Sequence, residues 1–184
     1  TLKNIGKFEN TNIIYMSDHG DYMGDHGTVL KGGLHSLGLI RVPLIWSDPL
    51  NRGNNFTKIQ GSAIDFAPTL LQKAGLKVPH GMQGRNLLAN DVTNLPVLIE
   101  DSGYAMASDD GLTAYCSLVH NNWRMSVFEG SEFGELFNLR EDPDELSNLW
   151  SDPTASSHKM TMLHLLINRK IELQSKSLAP THQA

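Results

Sequence analysis

A short β-rich run that ends in an acid and an imidazole, followed by a glycine-rich stretch, most constrains how this chain folds. Residues 12–16 read Asn-Ile-Ile-Tyr-Met, which is typical of a buried strand, and Ser-Asp-His-Gly follows directly. Glycine then recurs at positions 20, 24, 27, 32, 33 and 38. Such a density disfavours a long helix. The sequence therefore predicts a strand that leads into an irregular loop rich in Asp and His, where function often concentrates.

Two further elements are predicted before residue 80. Residues 41–46 form a second candidate for a buried strand, with a proline near its start. Residues 62–74 carry apolar side chains at helical spacing. Asp65 is a possible cap, Pro68 falls in the first turn and Gly75 is a stop signal. We expect this helix to pack on a sheet and to carry no chemistry.

The second half of the chain has a different pattern. Short strands joined by tight loops are predicted at residues 96–100, 112–119, 123–128 and 135–139. Because no helix intervenes, they indicate an antiparallel sheet. A helix is predicted at about residues 154–174. We place a domain boundary near residue 93, which separates an α/β part, 1–93, from a small α+β part, 94–184.

Composition narrows the functional classes. Apolar residues make up 40% and charged residues 19% of the 184, which is typical of a globular chain and argues against a membrane-spanning one. The formal net charge of −5 argues against a nucleic-acid footprint. Cys116 is the one cysteine, so neither an internal disulfide nor a cysteine-based zinc motif can form. We expect neither a nucleic-acid nor a membrane partner.

Asp18 and His19 are the candidate metal ligands. A carboxylate oxygen is a hard donor, and an imidazole adds a nitrogen ligand. Two donors cannot complete a site, so further ligands must come from elsewhere, and an ordinary strand–turn would also explain the pair. Lys31 lies in the same loop. A cation near a metal suits an anionic substrate held between them, although a solvated surface lysine is the alternative.

Seven segments in one order resemble the sulfatase family of the alkaline-phosphatase superfamily. They are residues 13–21 (IIYMSDHGD), 24–27 (GDHG), 31–32 (KG), 41–45 (RVPLI), 65–75 (DFAPTLLQKAG), 84–88 (GRNLL) and 135–149 (ELFNLREDPDELSNL). Each segment alone is a weak signal, but together they extend over residues 13–149, which is most of the chain. The resemblance implies an α/β fold: the trailing part of an alkaline-phosphatase-like sandwich, followed by a small subdomain with an antiparallel sheet and a packed helix.

The resemblance also implies roles for individual residues. Asp18 matches a metal-ligand aspartate, and His19 stands where the family has the next metal ligand. Lys31 matches the lysine that contacts the sulfate group and stabilises charge on the leaving oxygen. His35 is a weaker candidate for contact with the substrate. The implied cofactor is a divalent metal, most simply Ca²⁺, and the implied substrate is a small sulfate ester or a sulfated glycan.

The chain departs from the family at the nucleophile. Sulfatases attack with a formylglycine made from a Cys/Ser-x-Pro-x-Arg motif, and neither Cys116 nor any serine here has that motif. The family's paired aspartate ligands after the first strand have no match either. We therefore expect the chain to be the C-terminal portion of a longer sulfate-ester hydrolase and to be inactive alone. A fragment of this kind would expose apolar surface and could self-associate through it.

Two other functions fit part of the pattern. A phosphonate monoester hydrolase or phosphodiesterase of the same superfamily can also use an Asp-His pair. A non-catalytic interaction module would make use of the aromatic residues Trp123, Phe128 and Phe133 in the second half. The sequence leaves the compartment open; a bacterial member with a signal peptide upstream would be periplasmic or secreted.

Overall fold

The computed structural model describes residues 1–31, 34–50, 52–53, 59–89, 95–101, 107–108, 111–112 and 114–175. The chain divides into two compact units, Thr1–Thr57 and Lys58–Ala184. The boundary predicted near residue 93 lies outside the described residues, so the division into 1–93 and 94–184 stays a prediction.

In the first unit, two strands flank the glycine-rich stretch. Strands β1 (Ile13–Met16) and β2 (Leu44–Ser47) pair antiparallel. Between them lie a three-residue 3-10 helix, Asp25–Gly27, and helix α1, Leu37–Ile40. The absence of a long helix from the described part of this stretch confirms the expectation from its glycine content.

The expectation that β1 and β2 are buried is wrong. Tyr15 and Ile45 are cross-strand partners on one face of the pair and are 62% and 60% exposed, respectively. Among the described residues β1 pairs with β2 only. A two-stranded sheet has two edges and two faces to cover, so the apolar pattern of these strands exceeds what this unit buries.

The predicted helix in the second unit is confirmed as α2, Phe66–Lys73, which follows a 3-10 turn at Ala63–Asp65. Ser62 and Asp65 form a reciprocal capping box at its start. Gly75, with φ of +72°, ends it as predicted. Asp65 is fully buried and accepts hydrogen bonds from the backbone and guanidinium of Arg85.

The predicted antiparallel sheet is also confirmed. The remaining strands and the last α-helix are β3 (Val97–Asp101), β4 (Ala107–Ser108), β5 (Gly111–Leu112), β6 (Tyr115–His120), β7 (Trp123–Phe128), β8 (Gly134–Asn138) and α3 (Ser156–Ser175). Four strands form one sheet in the order β3-β6-β7-β8, with every neighbour antiparallel. Strands β4 and β5 pair with each other.

Helix α3 covers one face of this sheet and closes the core. The buried residues that meet there are Cys116, Leu118, Met125, Leu136, Ala155, Met162 and Leu166. Cys116 is therefore a buried strand residue, as expected. None of the helices that the structure describes is both long and apolar enough to cross a membrane.

The opposite face of the sheet carries a buried polar network that the sequence pattern did not indicate. Arg124 is 2% exposed and is paired with both Glu135, at 2.8 Å, and Glu145. Its guanidinium also donates to Ser126 Oγ at 2.7 Å, and this hydroxyl lies 2.7 Å from that of Ser117. The network links strands β6, β7 and β8 to the turn that carries Glu145.

Candidate functional site

The candidate site begins where β1 ends. His19 follows Asp18 directly, and its Nδ1 lies 2.7 Å from the carbonyl oxygen of Gly20. Because a carbonyl oxygen can only accept, Nδ1 carries the ring proton. The lone pair of the neutral imidazole is then on Nε2.

Lys31 lies next to that lone pair. Its Nζ is 3.1 Å from His19 Nε2. An ammonium group can only donate, so this contact requires the same tautomer that the Gly20 carbonyl requires. Asp18 Oδ2 lies 3.5 Å from His19 Nε2. The structure thus brings together three of the four residues that the sequence singled out, across a separation of thirteen positions.

The carboxylate of Asp18 stays ionised in this environment. Hydrogen bonds from the backbone N–H groups of His19 and of Asp18 itself lower the pKa of the Asp18 carboxyl below its usual value. The bond from the His19 N–H to Asp18 Oδ1 is 2.9 Å. Ser17 Oγ donates to the His19 carbonyl at 2.8 Å, which closes a compact turn. The Asp18 side chain is 85% exposed and therefore available to a cation from solution.

The donor set suits a hard divalent cation but does not complete its shell. A metal-binding histidine commonly donates its second ring N–H to a backbone carbonyl, which is the arrangement of His19 and Gly20. With metal–ligand bonds of about 2.0–2.6 Å, one cation can reach two donor atoms that are 3.5 Å apart. In the part of the chain that the structure describes, no group of three or more His, Cys, Asp or Glu side chains could hold a metal. Further ligands would have to come from elsewhere.

Gly20 fixes the site against α1. Its N–H donates to the Leu39 carbonyl at 2.7 Å. A Cβ atom on Gly20 would lie 1.9 Å from the carbonyl oxygen of Gly38, so only glycine allows this approach. The Asp-His-Gly triplet was the sequence signal for this residue, although it gave no indication of the partner.

His35, the fourth candidate, is 5% exposed and precedes α1 by two residues. Its contact with a substrate stays a prediction. Cys116 lies in β6, and burial raises the pKa of its thiol. A buried thiol that resists ionisation is a poor nucleophile.

A family comparison decides the class of this chain. Residues 24–172 match the family model of the C-terminal region of N-sulphoglucosamine sulphohydrolase. The chain belongs to this sulfatase family. The resemblance inferred from the seven sequence segments is thereby confirmed.

Curated relatives extend the comparison. The chain is 32% identical over 146 residues to the uncharacterized sulfatase YidJ of Escherichia coli K12, with 78% of the chain and 29% of the relative covered. It is 26% identical over 182 residues to an N-acetylglucosamine-6-O-sulfatase of Bacteroides thetaiotaomicron, with 90% of the chain and 31% of the relative covered. The chain thus spans less than a third of the length of either relative.

Solved structures confirm the predicted fold. The chain matches a phosphonate monoester hydrolase of Agrobacterium radiobacter with a TM-score of 0.80 and 26% identity, covering 94% of this chain and 37% of that one. It matches BT4656, solved in complex with its substrate D-glucosamine-2-N,6-O-disulfate, with a TM-score of 0.76 and 23% identity. That match covers 95% of this chain and 37% of that one. The mixed α/β architecture with antiparallel sheets and a C-terminal helix is that of the alkaline-phosphatase-like sulfatases.

Proposed function

We propose that this chain contributes the metal- and sulfate-facing loop of an enzyme that hydrolyses sulfate esters. The observation that carries the proposal is that two side chains meet at one nitrogen of His19. Asp18 Oδ2 lies 3.5 Å from His19 Nε2, and Lys31 Nζ lies 3.1 Å from the same atom. A carboxylate, an imidazole lone pair and an ammonium group together suit an anionic substrate that is held between a metal ion and a cation.

Each residue has a distinct role in the proposal. Asp18 and His19 supply two ligands to a divalent cation, for which Ca²⁺ is the simplest candidate because the carboxylate is a hard donor. When bound, such a cation would polarise the sulfate group as a Lewis acid. Lys31 donates hydrogen bonds to a sulfate oxygen and stabilises negative charge that develops on the leaving oxygen. The Gly20 carbonyl holds the His19 ring in the orientation that presents Nε2.

The nucleophile lies outside these residues. The chain has no Cys/Ser-x-Pro-x-Arg motif, and the Cys116 thiol is buried. We infer that the 184 residues alone do not turn over an aryl sulfate above background. The substrate class that we propose for the longer enzyme is a small sulfate ester or a sulfated glycan. A relative that is named as an N-acetylglucosamine-6-O-sulfatase supports this class.

The decisive test uses the longer protein. The reading frame upstream of Thr1 should encode a Cys/Ser-x-Pro-x-Arg motif, and that protein should hydrolyse an aryl sulfate in a metal-dependent reaction. Lys31→Ala should lower kcat by orders of magnitude, whereas Lys77→Ala, at an exposed lysine, should leave it unchanged. Wild-type activity in Lys31→Ala, or turnover by the 184-residue chain alone, would contradict the proposal.

A phosphonate monoester hydrolase is the second candidate. The match to the Agrobacterium radiobacter enzyme has a TM-score of 0.80, above the 0.76 of the match to BT4656. Sulfate monoesters and phosphonate monoesters both have a tetrahedral central atom whose anionic oxygens can bind a metal ion and an ammonium group. Rates on an aryl sulfate and on an aryl phosphonate monoester, measured side by side, will distinguish the two candidates.

An interaction module without catalysis is the third reading. In that case Ca²⁺ would have no effect on the chain, and Asp18→Ala would behave as wild type in every metal titration.

We also propose that the isolated chain self-associates through the exposed face that carries Tyr15 and Ile45.

A further inference from the structure

Tyr22 holds the chain on both sides of Lys31. Its backbone N–H donates to the carbonyl of Leu30 at 2.9 Å. Its hydroxyl accepts from the backbone N–H of Leu34 at 3.0 Å and donates to the carbonyl of the same residue. Leu30 and Leu34 flank Lys31, with residues 32 and 33 outside the described part of the chain. One residue thus fixes both ends of the five-residue segment that carries the ammonium group.

We propose that Tyr22 is the positioning residue that holds Lys31 against His19. The inference rests on the proposed function, because it matters for catalysis only if Lys31 binds the sulfate group. Lys31 is exposed and carries a long, flexible side chain. A fixed backbone at residue 31 lowers the entropic cost of keeping its Nζ beside His19 Nε2. The hydrogen bonds of Tyr22 with Leu30 and Leu34 provide that restraint.

The backbone at Leu30, just before Lys31, has a strained conformation, and a contact with the rest of the fold must maintain it. Leu30 has φ of +68° and a side chain that is 69% exposed. A bulky residue in the left-handed region is unfavourable and persists only where its surroundings determine the conformation. Side-chain packing cannot supply this restraint, because the Leu30 side chain is exposed. The hydrogen bond from the Tyr22 N–H to the Leu30 carbonyl can supply it.

The hydroxyl of Tyr22 is the part that a variant can remove cleanly. The residue is 3% exposed, so phenylalanine would fill the same buried space. Tyr22→Phe would leave the N–H and the carbonyl of Leu34 without their partner, and unpaired groups of this kind favour a rearranged loop. Tyr15 is 62% exposed in the same unit and offers the matched control, Tyr15→Phe.

The experiment measures the position of Lys31 and its ligand affinity separately, by NMR on the 184-residue chain. The nuclear Overhauser effect between the Lys31 Hε protons and the His19 ring reports the position. Titration with inorganic sulfate reports the affinity. We expect Tyr22→Phe to reduce the Overhauser effect and the sulfate affinity several-fold, Tyr15→Phe to change neither, and p-aminophenylalanine at position 22 to restore both.

The outcomes separate this inference from the proposed function. An undiminished Overhauser effect in Tyr22→Phe overturns the positioning role, whatever the sulfate affinity. If Lys31→Ala binds sulfate as tightly as wild type, the proposed function fails, even where Tyr22→Phe moves Lys31. If Tyr22→Phe does not fold, hydrogen exchange in the wild type decides. Slow hydrogen exchange of the Tyr22 and Leu34 amides supports the positioning role of Tyr22, and exchange at the rates of an unstructured peptide overturns it.

Discussion

Lys31 Nζ donates a hydrogen bond to His19 Nε2 over 3.1 Å, and it thereby uses the lone pair that a metal ion would need. The ammonium group and a divalent cation therefore compete for one imidazole nitrogen. They also repel each other, because both are positive.

The first prediction follows from this competition. Lys31→Met keeps most of the apolar stem but removes the charge, so it should strengthen Ca²⁺ binding at Asp18 and His19 several-fold. Chemical-shift titration of the His19 ring and the Asp18 carboxyl would measure the effect. Asp18→Asn should weaken binding, and Lys77→Met should not change it. Weaker Ca²⁺ binding in Lys31→Met would contradict the shared use of Nε2.

The second prediction concerns the contact that fixes the site to α1. In Gly20→Ala the new Cβ would lie 1.9 Å from the carbonyl oxygen of Gly38, so the backbone must move. We expect the free energy of unfolding of the chain to fall by about 1–3 kcal/mol, the usual cost of overpacking. The hydrogen bond from the residue-20 amide to Leu39 should be lost, and exchange of that amide should accelerate.

The control for this prediction is Gly61→Ala. Its Cβ would meet the methyl groups of Leu87 at 3.0–3.1 Å, and a flexible side chain can move away. A smaller loss of stability is expected there. Equal losses at positions 20 and 61 would show that the close backbone approach at Gly20 is not what matters.

Sequence pattern was a good guide to the elements and to one part of the site. Helical spacing predicted α2 and α3, and alternation with turn signals predicted the sheet of β3, β6, β7 and β8. The order of short motifs placed Asp18, His19 and Lys31 in one functional loop, and the structure brings them together.

The same pattern could not show what covers each face. In β7, polar Arg124 and Ser126 alternate with apolar Met125 and Val127, which is the pattern of a strand with one face in water. The structure instead buries Arg124 under Glu135 and Glu145. Alternation reveals which side chains share a face, whereas burial depends on distant segments. Tyr22 was missed for a similar reason, because its partners are backbone groups of Leu30 and Leu34, and these carry no sequence signal.

The buried network around Arg124 gives the third prediction. Arg124→Ala would remove the guanidinium that pairs with the buried carboxylates of Glu135 and Glu145. Breaking a buried ion pair in this way costs about 3–5 kcal/mol, and chemical denaturation would measure the loss. The triple variant Arg124→Met/Glu135→Leu/Glu145→Leu should recover most of it, since it also removes the two buried carboxylates. Arg140→Ala, at an exposed arginine, is the control, and a loss as large as that of Arg124→Ala would count against the mechanism.

The fourth prediction is a pH dependence at the start of α3. Asp152 accepts hydrogen bonds from the hydroxyl of Thr154 at 2.7 Å and from its backbone N–H at 2.8 Å, and both lower the pKa of this carboxyl below 3.8. A carboxyl whose pKa is lower in the folded state adds stability above its unfolded-state pKa. That contribution is lost as the pH falls below 3.8 and through the folded-state value.

The measurement is the difference in free energy of unfolding between wild type and Asp152→Asn as a function of pH. We expect a constant gap from neutral pH down to about 4, the unfolded-state pKa, and a shrinking gap below it. Asp144→Asn, at an exposed aspartate, serves as the control. A gap that widens as the pH falls would rule out this assignment.

The fifth prediction concerns the exposed face of the β1–β2 pair. Tyr15 and Ile45 are cross-strand neighbours that expose 62% and 60% of their surface, and burying such apolar area against a second copy is favourable. We expect the weight-average sedimentation coefficient of the isolated chain to rise with protein concentration. The variant Tyr15→Thr/Ile45→Thr keeps β-forming residues but removes apolar surface, and it should sediment as a monomer. Leu50→Thr, at a residue that is 88% exposed in the turn after β2, tests whether any exposed apolar side chain has the same effect. A wild-type chain that stays monomeric at every concentration, or a double variant that associates as strongly as wild type, would show that this face does not mediate self-association.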